Sequence, residues 1–322
     1  MNKLPKPNQL KMFQSIIEHG SFRTAAKALN QTQPALTRSM SELEKMLGTS
    51  LMVRGPRGVL LTEAGKLFEK RVQLILKELE RAVIDAKLLS VDSRGTIAIG
   101  SSALPFFTML PLTIKRFQKR FPQISVNLTE GQVSDLLPAL RAGKLDFVIG
   151  TTSPASNLST EFIEEPFFTA PCGVLARLGH PLAQSTSLNQ LRNEKWYLPS
   201  TKMGYYNQLE EVLFPDGRQA GQQIIHGDTA IMAMQMVLDA DFLTVAAKEI
   251  VQVPYLKSKL SVIPIEDFLP DASYNFIYSR RLPLTQVSRV MLSELLSECK
   301  NHPWHNKIQL GSISAATAVA GS

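Results

Sequence analysis

The chain has 322 residues, 44% of them hydrophobic, which is enough for two or three domains with ordinary cores. Residues 1–9 are polar and proline-broken and no run of about 18 uncharged apolar residues follows, so the sequence predicts a soluble, cytoplasmic protein with no membrane partner. Its formal charge of +7 is confined to one end: residues 1–94 hold 16 Lys+Arg and 9 Asp+Glu, leaving 19 of each beyond, so a basic N-terminal module precedes a neutral remainder and points to a polyanion, nucleic acid first.

The first element is a helix over residues 8–19, where Leu10, Phe13, Ile16 and Ile17 recur at helical spacing and Gly20 ends the segment. Ser21 then caps a second helix, residues 22–29, whose paired Ala25 and Ala26 let another helix approach closely. After the turn at Asn30 and Gln31 comes the stretch around which the chain is organised. Thr32 is its N-cap, Pro34 lies in the first turn where a missing N–H removes no bond, and Gly48 suits a left-handed C-terminal position. Leu36, Met40, Leu43 and Leu47 fall on one face of this helix. Gln33, Thr37, Arg38 and Ser41 point elsewhere, and such short or forked side chains can reach base edges and phosphates in a DNA major groove. In a helix-turn-helix the preceding helix crosses the backbone, which would bring Arg23 and Lys27 to phosphates.

Two short apolar runs, residues 51–54 and 59–62, flank Gly55-Pro56-Arg57-Gly58 and predict a hairpin. As the wing of a winged helix-turn-helix it would present Arg54, Pro56 and Arg57 to the DNA backbone or minor groove. Thr62 can cap a long helix reaching about residue 89. Along it Phe68, Val72, Ile75, Leu79, Ala82, Ala86 and Leu89 keep alternating spacings of four and three, a coiled-coil seam that needs a partner helix. A homodimer through this helix is therefore expected, pairing two readers on two half-sites.

These segments together, with Ala25-Ala26, Gln33-Pro34-Ala35, Leu43-Glu44, Leu51, Arg54, Gly58-Val59 and Leu61-Thr62-Glu63-Ala64-Gly65, resemble the DNA-binding domain of LysR-type transcriptional regulators over residues 8–62. The resemblance implies a double-stranded DNA operator, RNA polymerase as a partner, assembly of dimers into a tetramer, and a two-lobed effector domain similar to periplasmic binding proteins.

The rest of the chain agrees. Ser93-Arg94-Gly95 reads as a hinge, followed by a strand at 96–100, a helix ending near residue 121, a strand at 124–129, a helix at 132–142 and a strand at 146–150. That alternation argues for a parallel sheet with helices on both faces. A second set follows from about Phe167: strands at 174–176 and 196–198, a helix at 205–214, a strand at 224–226, a helix at 231–238 and a strand at 242–245. Strands at 261–265 and 275–278 would carry the chain back to the first lobe before a last helix at 287–300. The expected fold class is α/β: an all-α winged helix-turn-helix at 1–65, a linker helix at 66–90, a hinge at 91–95, and an effector domain at 96–300. Its lobe I would span about 96–166 and 268–300, its lobe II about 167–267, with a disordered tail at 301–322.

In open α/β sheets ligands bind beyond the carboxyl ends of strands, where helix N-termini offer free N–H groups. Three such places are Ser101 and Ser102, then Thr129 with Gly131 and Gln132, then Ser200 and Thr201 with Met203, Gly204 and Tyr205. The resemblance implies that they line the cleft between the lobes, with Thr151 at the first crossover. Small hydroxyls and backbone amides suit a carboxylate or other small anion, although helix caps and turns use the same residue types. Phrases such as Leu145-Asp146-Phe147-Val148 resemble one branch of the family more than others, and no effector is carried over from it.

No cofactor and no metal are expected. Cys172 and Cys299 stand 127 residues apart and read as lone buried thiols rather than a redox pair, and His302-Pro303-Trp304-His305 lacks the cysteines or carboxylates of a metal site. A competing reading, an enzyme or small-molecule-binding protein on the same scaffold with a DNA-binding arm added, finds no nucleophile elbow, Walker or zinc-protease pattern to support it.

Overall fold

The computed structural model describes residues 4–55, 58–87, 95–152, 158, 160–200, 209–218 and 221–302, and falls into two units, Met1–Ala86 and Lys87–Ser322. No helix among the described residues is long and apolar enough to cross a membrane.

In the first unit α1 (Pro7–His19) ends at Gly20 with φ +68°, and α2 (Phe22–Ala28) starts where the Ser21 hydroxyl accepts the Thr24 N–H at 3.1 Å. Asn30, at φ +52°, turns the chain into α3 (Gln33–Leu47), which Thr32 caps and left-handed Gly48 closes. Phe13, Ile16, Ala25, Ala26, Leu36, Met40 and Leu43 are buried together, so the alanines admit α2 as the spacing predicted. Leu47 departs from the expected stripe: it is exposed, because the last turn of α3 runs past the edge of that core.

Strands β1 (Met52–Gly55) and β2 (Gly58–Leu61) form the hairpin, with Met52 opposite Leu61. It is pinned to the α1–α2 turn by the Val59 N–H donating to the Gly20 carbonyl at 3.0 Å. Gly58 adopts φ +125°, and a Cβ there would stand 2.5 Å from the Gly20 oxygen, so this contact requires glycine. Helix α4 (Glu63–Lys87) begins where the Thr62 hydroxyl accepts the Gly65 N–H.

The predicted seam on α4 divides. Phe68 and Val72 pack into their own unit's core together with Leu76, and the Phe68 ring meets Phe13 edge-on at 5.3 Å. Ile75, Leu79 and Val83 are 52%, 43% and 45% exposed, so the uncovered part of the stripe starts at Ile75, about two turns beyond Phe68. Leu89, and the hinge residues Ser93 and Arg94, lie outside the described residues, as does the tail beyond His302.

The second unit holds a five-stranded sheet in the order β4-β3-β5-β12-β6. Its members are β3 (Gly95–Ser101), β4 (Ile124–Glu130), β5 (Phe147–Thr151), β6 (Phe162–Ala170) and β12 (Ala272–Ser279). β3 is parallel to β4 and β5, whereas β12 runs antiparallel to β5 and β6, so the sheet is mixed rather than purely parallel. β6, unforeseen in the sequence, extends lobe I to Ala170 and moves the first crossing from Phe167 to Pro171. The helix expected after Ser102 is two helices, α5 (Ala103–Phe107) and α6 (Leu110–Arg120). Pro111 can donate no N–H to the Phe107 carbonyl and its ring would strike it, which ends the first helix there. α7 (Val133–Arg141) packs Val133, Leu136, Leu137 and Leu140 against Ala98, Val148 and Ile277.

Lobe II is built on β10-β7-β11, namely β7 (Cys172–Arg177), β10 (Thr244–Ala247) and β11 (Leu260–Val262), all antiparallel neighbours. β11 pairs within lobe II, so the return of the chain to the lobe I sheet falls to β12 alone. Parallel β8 (Trp196–Leu198) and β9 (Ile224–His226) form a second sheet beside α8 (Leu209–Leu213) and α9 (Ala230–Ala240). The two crossings lie side by side, since Ala170, just before the first, pairs with Ala272, just after the second. α10 (Gln286–Cys299) returns to lobe I, where Arg116 of α6 bonds Glu294 and the buried Glu298.

Candidate functional site

Each unit carries one surface with chemistry to offer. On α3 the buried Leu36, Met40 and Leu43 leave Thr32, Gln33, Pro34, Thr37, Arg38 and Ser41 exposed on the remaining surface. Arg38 is 84% exposed at its side chain and among the described residues holds only the neighbouring Glu42 at 3.1 Å, an exposed pair worth little to stability and readily exchanged for another anion. The Thr37 hydroxyl donates back to the Gln33 carbonyl, which leaves its lone pairs outward. Arg23 and Lys27 are exposed on α2. Arg54 lies in β1 opposite Val59, while Pro56 and Arg57 fall outside the described residues.

Sequence reading missed how the hairpin is aimed. One carboxylate oxygen of Glu44, on α3, accepts the backbone N–H groups of Leu51 at 2.7 Å and Met52 at 3.1 Å and the Ser50 hydroxyl at 3.2 Å. It fixes the start of β1 against α3 through charge-assisted bonds. Nothing in a lone glutamate of an amphipathic helix signals this.

In the second unit a cleft of about 60 Å³ opens between the lobes. A single water needs roughly 10–15 Å³ measured this way, so the space suits a ligand of a few non-hydrogen atoms. Its walls include Ser102, Gly131, Gln132 and Thr151 from lobe I and Tyr197, Asp228, Thr229 and the 244–247 strand from lobe II. Of the expected residues, then, Ser102, Gly131, Gln132 and Thr151 come together. Ser101 does not line the cleft: it is fully buried and its hydroxyl donates to the Ser102 carbonyl at 3.0 Å. Thr129 also departs, exposed on the edge strand, because alternation along β4 hands the cleft to its neighbour Glu130. Ser200 stands behind the wall, giving its N–H at 3.1 Å and its hydroxyl to the Asp228 carboxylate. Thr201, Met203, Gly204 and Tyr205 lie outside the described residues.

Two helices of useful length begin at the cleft. α7 starts at Gln132 with no side-chain cap, leaving its first turn to other acceptors, and α9 starts at Thr229, whose hydroxyl accepts the Met232 N–H. Burial, and then the Asp228 charge, push the Tyr197 phenol up from its ordinary value. Asp228 and Thr229 follow a strand and precede a helix, the pattern that selected the other three places, so they were within reach of the same reasoning. The apolar wall from β10 carried no such signal. Among the described residues no group of three His, Cys, Asp or Glu could hold a metal ion.

Comparison with known proteins accounts for both units. Residues 7–66 match the model of bacterial regulatory helix-turn-helix proteins of the lysR family, and residues 91–300 match the LysR substrate binding domain. The chain is 34% identical to the HTH-type transcriptional regulator TdcA of Escherichia coli K12 over 307 residues, covering 95% of this chain and 97% of that one. It is 26% identical to the regulator GbpR of Rhizobium radiobacter over 76% of this chain and 82% of the relative. Among solved structures, a full-length OxyR variant from Pseudomonas aeruginosa superposes with a TM-score of 0.65 at 19% identity, over 91% of this chain and 95% of that one. Full-length CbnR in complex with its target DNA gives 0.65 at 19%, over 91% and 99%. At those identities the structural likeness is one of fold.

Proposed function

The chain belongs to the LysR family, a DNA-binding transcriptional regulator with an effector-binding domain, and from that premise we propose which residues do each part of its work. α3 enters the major groove, with Gln33, Thr37, Arg38 and Ser41 at base edges and Thr32 and Pro34 at the groove entrance. Arg23 and Lys27 hold phosphates, and the hairpin brings Arg54, Pro56 and Arg57 to the flanking backbone or minor groove. The observation that carries this reading is the division of α3 into the buried Leu36, Met40 and Leu43 and an exposed polar face that contributes nothing to its own unit's core.

Two chains pair through the exposed part of the α4 seam, pairs assemble into a tetramer, and the assembly meets RNA polymerase in the cytoplasm. A small carboxylate or comparable anion lies in the cleft against the uncapped start of α7, near Ser102, Gly131, Gln132 and Thr151, and Thr201, Met203, Gly204 and Tyr205 complete the set of residues that bind it. Such a ligand moves the balance between lobe arrangements only as far as it binds them unequally, and that difference is what the paired DNA readers receive. Binding sites selected from a random DNA pool, then footprinted with the full chain and its Arg38→Ala variant, test the DNA reading. The variant should keep its fold and oligomeric state and lose about tenfold or more in affinity at low salt; an unchanged footprint sinks the role of Arg38.

A further inference from the structure

The effector cleft carries a charge pattern that a plain anion does not satisfy. Its described walls contain two carboxylates, Glu130 at the end of β4 in lobe I and Asp228 ahead of α9 in lobe II, and no Lys, Arg or His. Both are exposed, and each belongs to a different lobe, so bringing the lobes together concentrates like charge with no described cation to offset it. Asp228 has one oxygen engaged by Ser200, and the Glu130 side chain makes no hydrogen bond among the described residues. A third, independent feature marks the place as a ligand site: Thr151 is only 5% exposed, lines the cleft, and its hydroxyl has no partner among the described residues.

We propose that the effector is a small zwitterion, a primary α-ammonium carboxylate, whose carboxylate takes the start of α7 and whose ammonium group bridges Glu130 and Asp228 across the two lobes. This rests on the cleft being the effector site. Among the described residues of the cleft the ammonium is the only positive charge, so closure follows binding: the ligand interacts more strongly with the closed arrangement than with the open one. Three donors on an ammonium match two carboxylates and the Thr151 oxygen, whereas a hydroxy acid of the same shape places one neutral hydroxyl there. The size of the cleft favours an amino acid with a small side chain.

The test is thermal stabilisation and titration calorimetry of the full chain with glycine, L-alanine and L-serine, each against its hydroxy counterpart glycolate, L-lactate or L-glycerate. The proposal expects a saturable shift with at least one amino acid, and binding at least tenfold weaker for its hydroxy acid. Glu130→Gln and Asp228→Asn keep the shape and should each weaken the amino acid about tenfold while leaving the unliganded melting temperature in place. Equal or tighter binding of the hydroxy acids, no response to any amino acid, or carboxamide variants that bind the amino acid normally would each overturn it. Ala233→Trp, which fills the cleft from α9, separates the two levels. Hydroxy-acid binding abolished by this variant leaves the cleft as the effector site and removes the zwitterion, whereas ligand binding that survives it removes the cleft itself.

Discussion

Replacing Glu44 with alanine should loosen the hairpin while leaving the rest of the first unit folded. Its carboxylate oxygen accepts three hydrogen bonds, from the Leu51 and Met52 amides and the Ser50 hydroxyl. Leu51 is 1% exposed, so its N–H finds no water once the acceptor is gone and bears the full cost of an unsatisfied buried donor, about 1–3 kcal/mol. Met52 is half-buried and Ser50 exposed, so their losses are smaller, and the three together come to about 2–4 kcal/mol. Hydrogen exchange of the full chain reads this directly. Protection of the Leu51 and Met52 amides should fall by roughly 30-fold to 1,000-fold, while that of Leu43 on α3 changes little. Glu44→Gln keeps an oxygen acceptor and loses only the charge, with a deficit of about 1 kcal/mol. DNA affinity should follow the hairpin, since the wing residues hang from β1. Protection of Leu51 within about threefold of the unsubstituted protein in Glu44→Ala would show that the three bonds do not set the hairpin's position.

Further outcomes follow from the other elements. Leu79→Glu places a charge on the exposed apolar stripe of α4, where Ile75 and Val83 flank it, and should shift the sedimentation profile towards monomer without lowering the helix content; an unaltered profile would put the pairing surface elsewhere. The Tyr278 phenol donates to Glu165 at 3.0 Å, and burial, then the Glu165 charge, push its pKa up to about 12. Its folded value lies above the ordinary value near 10, so its contribution is complete below about pH 10 and is lost as pH rises towards 12. Absorbance titrations of tyrosinate in the unsubstituted chain and Tyr278→Phe should coincide up to about pH 11 and differ by one phenol only above it, and curves that already separate near pH 10 would refute the assignment.

Much of the first unit was legible because its signals are local. Ser21, Thr32 and Gly48 cap the helices they precede or follow, Gly58 sits where a positive φ is demanded, and the burial of Leu36, Met40 and Leu43 follows from a period of 3.6 residues. The seam on α4 was only half legible, because a heptad pattern says that a stripe is apolar and not whether the covering surface belongs to the same chain. Phe68 and Val72 found theirs in α1 and the domain core. In the effector domain strand positions were readable to within a few residues, but β6 was not, since Glu164, Glu165 and Pro166 in a run of nine look unlike a strand until β12 pairs with them along an edge.

The sequence by itself determined most of the order of elements, the basic reading module, the caps, the strand-to-helix turns at Ser102 and Gln132 that face the cleft, and Thr151 at the end of its strand. All of these depend on residues within a few positions of one another. Only the tertiary structure decided that β11 pairs antiparallel with β7, that Glu44 holds the hairpin, that Ser101 and Thr129 turn away, and that Glu130 and Asp228 face one space from opposite lobes. The pairing of β11 with β7 and the meeting of Glu130 with Asp228 join residues many tens of positions apart, and the Glu44 bonds, though only six to eight positions long, leave the helix they start from. A side chain's partner at that distance is set by which strand its own strand pairs with, and by the face on which a two-residue period leaves it.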